Sequence, residues 1–156
     1  MAKEIERKFL LADDSWRSEV IKSTLFRQGY LAGGVESSVR VRVEGDSANI
    51  NIKSATLDIS RLEYEYEIPL DDAGELLDNL CQKPIIEKTR HIVPADSGHK
   101  WEIDEFCGDN AGLIVAEIEL GSEDELFAKP AWLGKEVSDD PRYYNVCLVK
   151  HPYKDW

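Results

Sequence analysis

Glu4-Ile5-Glu6-Arg7-Lys8-Phe9-Leu10, near the start of the chain, is the stretch whose reading decides the fold. Taken as a β-strand, it sends successive side chains to opposite faces, so Glu4, Glu6 and Lys8 share one face while Ile5, Arg7 and Phe9 share the other. A single strand could turn such a face to bulk water with no function. Repetition argues otherwise. Arg40 and Arg42 alternate with Val39, Val41 and Val43; Asn49, Asn51 and Lys53 alternate with Ile50 and Ile52; Glu63, Glu65 and Glu67 alternate with Tyr64, Tyr66 and Ile68. Further on, Lys88 and Arg90 flank Thr89, Glu102 and Asp104 flank Ile103, and Glu117 and Glu119 flank Ile118. A solvated outer face tolerates Ser, Thr, Gln and Asn freely. These faces are mostly ionisable and sorted by sign within each strand, which points to a charged interior.

Outward from that stretch, Asp13-Asp14-Ser15 offers N-caps for a short helix to about Lys22. Strands are expected over residues 25–32, 37–44, 48–54 and 61–69, with Gly33-Gly34 and Gly45-Asp46 as turns. Leu76, Leu77 and Leu80 fall at helical spacing after Asp71-Asp72, predicting a covering helix that ends before Pro84. Strands follow over 83–93, 100–106 and 113–120. Ser122-Glu123-Asp124-Glu125 reads as a capped helix start running to about Lys129, and Ser138-Asp139-Asp140-Pro141 as the opening of a C-terminal helix to about Val149. The fold class is α+β, with antiparallel strands dominant and helices packed outside. If the strands close on a charged interior, that interior is no dry core, and it must hold water, ions and ligand.

At 156 residues the chain reads as one domain spanning 1–156. Its formal net charge of -12 argues against nonspecific binding to nucleic acid or an anionic membrane. Cys81, Cys107 and Cys147 are odd in number and lack CxxC spacing, so neither a disulfide framework nor a zinc knuckle is expected. Charges interrupt any apolar region at the N-terminus, and no apolar run approaches the ~20 residues of a membrane span. A cytoplasmic protein is expected.

The ordered runs EIERKFL, RVR, NIKS, RLEYEYEI, EKTRH, WEIDEF and VAEIEL resemble the CYTH superfamily of triphosphate tunnel metalloenzymes, in its short bacterial form, from Glu4 to about Asn145. The resemblance implies a barrel-like tunnel that binds a triphosphate and divalent metal, and hydrolysis of inorganic triphosphate to diphosphate and phosphate by a metal-positioned water. Glu4, Glu6, Glu63, Glu65, Glu117 and Glu119 are the metal candidates it implies, and Glu4, Glu6, Lys8 and Lys88 the catalytic ones.

Residue chemistry is consistent with that implication. Arg40 and Arg42 can present bidentate forks to phosphate oxygens, while Lys8, Lys53 and Lys88 act as compact charges and Arg90 completes the basic set. Carboxylates repel phosphate, so acids sharing a cavity with these cations imply metal between acid and phosphate. Oxygen donors without a Cys/His cluster point to Mg²⁺ or Mn²⁺. No covalent nucleophile is required, because phosphoryl transfer rests on positioning and charge neutralisation. Asp104 could contact metal or orient neighbouring cations. Tyr30, and the Arg142-Tyr143-Tyr144-Asn145 segment, sit where short family members have similar residues; packing competes as their role, and for Tyr143 and Tyr144 it is the preferred one. His91, His99 and His151 are expected to be surface or structural residues. The alternatives are thiamine triphosphatase, an adenylate cyclase of the same superfamily, and a noncatalytic polyphosphate-binding module. The small-molecule substrate is the expected partner, on a monomer or homodimer.

Overall fold

The computed structural model describes residues 3–55 and 58–156. Its strands are β1 (Lys3–Leu11), β2 (Lys22–Gly33), β3 (Ser37–Glu44), β4 (Ser47–Ser54), β5 (Ser60–Glu67), β6 (Ile86–Pro94), β7 (Lys100–Phe106), β8 (Ile114–Glu119) and β9 (Leu133–Glu136). Its α-helices are α1 (Leu70–Asn79) and α2 (Asn145–Lys150). Eight strands close into an antiparallel barrel in the cyclic order β1-β5-β4-β3-β2-β6-β7-β8. Closure falls on β1. One edge of it pairs with β8 from Glu6 to Leu10, while its other edge pairs first with β5 through Lys3, Glu4 and Ile5 and then with β9 at Phe9 and Leu11.

Alternation explains why the wall closes with its charges inward. The outward residues Ile5, Phe9, Val93, Trp101, Ile103, Ala116 and Ile118 form an apolar layer capped by Trp16 and Trp132. Elsewhere on the wall, α1 lays Ala73 and Leu77 over Val41 and Ala48 of β3 and β4. Burying an aliphatic or aromatic side chain stabilises by about 1.5–3 kcal/mol. The outer layers thus supply the cohesion that a charged interior lacks. At one end, Leu148 and Val149 of α2 pack on Tyr30, Ile86, Phe106 and Val115, which close the barrel below the charged layer.

Several expected helices are shortened or absent. Residues expected to be helical from Asp14 form a single 3₁₀ turn, Ser15–Glu19, because β2 already starts at Lys22 to pair with Ile92. The segment 122–129 is not helical: it makes one turn at Ser122–Glu125 and then continues as irregular chain, with Phe127 against the edges of Phe9 and Trp101, and Glu125 accepts the Gly121 N–H at 2.6 Å. The C-terminal helix is split into a 3₁₀ turn, Pro141–Tyr143, and α2, with extended Tyr144 between them at φ -77, ψ 134. Among the described residues no helix is long and apolar enough to cross a membrane.

Candidate active site

The barrel encloses a cavity of ≈ 240 Å³ whose lining is mostly ionisable. Strand order sorts it by sign. β3 and β6, on either side of β2, contribute Arg40, Arg42, Lys88 and Arg90 with Glu44 as the one acid among them, while β7, β8, β1 and β5, also contiguous, contribute Glu102, Glu117, Glu119, Glu4, Glu6, Glu63 and Glu65. Lys8, Lys53 and Arg61 are set among the acids. A basic arc of wall therefore faces an acidic one.

On the basic arc, Lys88 is 1 % exposed and donates to Asp104 Oδ2 at 2.6 Å and Asn145 Oδ1 at 3.0 Å. Arg90 clasps the same Asp104 through Nε at 2.7 Å and Nη2 at 2.9 Å, and reaches Glu102 at 2.9 Å. Asp104 does not line the cavity; it sits behind Lys88 and Arg90 and holds them. Burial by itself would raise its carboxyl, but Arg90 and Lys88 outweigh that and bring it down to about 2. Burial, with Arg90 and Arg42 nearby, depresses the Lys88 ammonium to about 7 despite Asp104. Arg42 is lowered to about 10 by burial and by Arg40 and Arg90. Among the described residues Arg40 Nε is buried with no hydrogen-bond partner. Such an orphan donor in a polar cavity is the mark of a group awaiting an anion.

The acidic arc is crowded. Lys53 Nζ lies 3.0 Å from Glu4 and 3.2 Å from Glu63, and Arg61 spans Glu4 at 3.7 Å and Glu6 at 3.6 Å. Burial, Glu6 and a hydrogen bond with Glu63 push Glu4 up to about 9, even against Lys53. Glu119 is also raised, by burial and by Glu102, Glu6 and Glu63. Lys8 approaches Glu117 at 3.4 Å, donates to the Tyr143 carbonyl at 3.1 Å and stands 4.9 Å from the centre of the Tyr144 ring. Carboxylate charge on this side exceeds what the interleaved cations neutralise.

The CYTH domain model matches residues 2–144. The chain belongs to the CYTH domain family. An inorganic triphosphatase of Acetivibrio thermocellus is 51% identical over 156 residues, covering 100% of this chain and 99% of that protein. One from Nitrosomonas europaea is 36% identical over 149 residues, covering 94% and 96%. A crystal structure of an inorganic triphosphatase superposes with a TM-score of 0.66 at 34% identity, covering 96% of this chain and 95% of that one. A conserved hypothetical protein from Pyrococcus furiosus, at 19% identity, TM-score 0.60 and 78% and 80% coverage, shares the fold alone.

Within this CYTH barrel, Glu4, Glu6, Lys8, Arg40, Arg42, Lys53, Glu63, Glu65, Lys88, Arg90, Glu117, Glu119 and Tyr30 all line one cavity. Arg142 lies outside it, half exposed and paired with Asp140 at 2.8 Å. Its guanidinium is spent on Asp140, the carboxylate that caps the 3₁₀ turn by accepting the Arg142 backbone N–H. His91 bonds Ser23 and Glu105 rather than anything in the cavity. Sequence reasoning put Glu102 on a charged face and Asn145 in a family-like segment without giving either a role, and it passed over Arg61, Glu44, Phe26, Ser38 and Val146, which also line the cavity. Arg61 shares the parity of Glu63, and Glu44 that of Arg42, so alternation could have found both. Asn145 reaches the cavity only because α2 starts where it does.

Proposed function

We propose that the protein hydrolyses inorganic triphosphate to diphosphate and phosphate inside this tunnel, as its triphosphatase relatives' names suggest. The observation that carries the reading is the wall divided into a basic and an acidic arc across one cavity. A triphosphate matches the basic arc: Arg40 has an unpartnered buried Nε, Arg42 keeps Nη2 unengaged, and Lys88 has committed two of its three N–H donors to Asp104 and Asn145. Three fixed cations bind and orient the chain of phosphates and neutralise charge as the terminal group departs.

The acidic arc fits a divalent cation. Its donors are hard carboxylate oxygens, and burial together with Glu6 and Glu63 holds the Glu4 carboxyl above its ordinary range. Among the described residues no three Asp, Glu, His or Cys side chains form a ready-made metal cage. That favours an ion held by one or two carboxylates plus phosphate and water, the habit of Mg²⁺ and also available to Mn²⁺. Glu4, Glu6, Glu63, Glu65, Glu117 and Glu119 are the residues from which those one or two ligands would come. When bound, such a cation supplies Lewis-acid polarisation of phosphate and water. The carboxylates of β1 and β8 orient the attacking water in line with the leaving diphosphate, and Lys8 and Lys53 keep those carboxylates apart from the substrate's own charge. Free cysteines suit a reducing compartment such as the cytoplasm, and the formal net charge of -12 suits a small-molecule substrate rather than nucleic acid, on a monomer or homodimer.

Phosphate release from triphosphate, ATP and thiamine triphosphate, each with and without Mg²⁺ or Mn²⁺, tests the reading. Triphosphate with metal is expected to be turned over best, and Glu119→Gln to lose most turnover while still binding triphosphate. Cyclic AMP from ATP, a preference for thiamine triphosphate, or binding with no release would each overturn it.

A further inference from the structure

Two uncharged amides stand among the tunnel's ions. Gln28 of β2 is 0 % exposed, and Asn145 opens α2. Gln28 Nε2 donates to Asn145 Oδ1 at 2.9 Å, and Gln28 Oε1 accepts from Arg42 Nε at 3.0 Å. Asn145 Oδ1 also accepts from Lys88 Nζ at 3.0 Å. Lysine and arginine can only donate, so both amide orientations are forced: Asn145 must turn its oxygen to Lys88, and Gln28 must turn its oxygen to Arg42 and its NH₂ to Asn145. Donation from Arg42 through Gln28 and donation from Lys88 meet at Asn145 Oδ1, and Lys88 and Arg90 both donate to Asp104.

We propose that Asn145 is a positioning residue for triphosphate hydrolysis, acting through Gln28 and Lys88 to hold Arg42 and Lys88 at the spacing of adjacent phosphate groups; this rests on the function proposed above. Arg42 and Lys88 repel each other in a buried setting, so without a shared acceptor they separate or recruit water. The amide pair supplies acceptors without adding negative charge, which a carboxylate at either position would turn against phosphate. It also makes the C-terminal segment part of the site, since the same segment gives its Tyr143 carbonyl to Lys8.

A double-mutant cycle tests this, read in kcat, KM and in the calorimetric Kd for triphosphate. Asn145→Ala is expected to lower kcat/KM by roughly 10- to 100-fold, the scale on which small misplacement of site groups is felt. In a Lys88→Ala background the same substitution should cost far less, because its target is gone. Asn145→Asp keeps both acceptor bonds and is expected to hold kcat within a few fold while raising KM. Equal losses from Asn145→Ala with and without Lys88, or an Asp variant as impaired in kcat as the Ala variant, would mark Asn145 as merely structural. Should the wild-type protein release no phosphate, the function proposed above fails, whereas the coupling is still read in Kd. Additive effects on Kd would then overturn the positioning role on its own.

Discussion

Lys88 and Asp104 are each 1 % exposed, and taking such charges out of water costs several kcal/mol per ion before their attraction is counted. An apolar pair would serve stability as well, so the pair answers to the site. Its signature is in acid. Folded Asp104 titrates at about 2 instead of its ordinary 3.8, so between those values the unfolded chain binds more protons. Stability present above 3.8 is therefore lost as pH falls through about 2. Denaturant titrations of the wild type and Asp104→Asn should show the variant weaker at neutral pH, with the gap narrowing across that window. A gap that stays constant down to the lowest pH would mean that Asp104 is not held ionised by Lys88 and Arg90.

At the scale of elements, β9 carries the burden of finishing the wall, because β5 covers only the first residues of β1. It comes close enough that a Cβ on Gly134 would lie 2.9 Å from the Leu10 carbonyl oxygen, a backbone atom with no room to yield. Gly134→Ala is expected to destabilise by about 1–3 kcal/mol, as overpacking does. Gly74 in α1 is the reverse case, with nothing within 4 Å of its would-be Cβ. Gly74→Ala should stabilise by about 0.5–1 kcal/mol through helix propensity. Thermal melts of the two variants check both signs; a Gly134→Ala protein as stable as wild type would show that β9 is not tightly docked.

Across the whole molecule, the barrel gathers like charges side by side into two arcs of one cavity, a basic one and an acidic one. A ligand that binds only the folded state stabilises it by RT ln(1 + [L]/Kd), about 2.7 kcal/mol at a hundredfold excess over Kd. Triphosphate should raise the melting temperature, and more so with Mg²⁺, since each arc then has its counter-ion. The thermal shift decides: no change with triphosphate, alone or with metal, would mean that the cavity is not its site.

What was legible before folding was parity. Glu4, Glu6, Lys8, Arg40, Arg42, Lys53, Lys88, Arg90, Glu117 and Glu119 could be put on common faces because a strand's side chains alternate whatever surrounds it. The strands themselves were legible for the same reason, their apolar faces being Val, Ile and Trp at every second residue. Helix ends were less so. Ser122 and Ser138 carry capping signals, yet Phe127 is drawn out over Phe9 and Trp101, and Tyr144 breaks the second helix where its hydroxyl meets the Ser138 carbonyl at 2.7 Å. Packing there outweighs capping preferences worth about 1 kcal/mol. Two things belonged to tertiary structure alone. Strand order brought β3 and β6 to either side of β2, so that basic residues remote in sequence became one arc; and the start of α2 delivered Asn145 to Lys88. Neither is encoded in local periodicity, because which strands become neighbours depends on how the whole barrel closes.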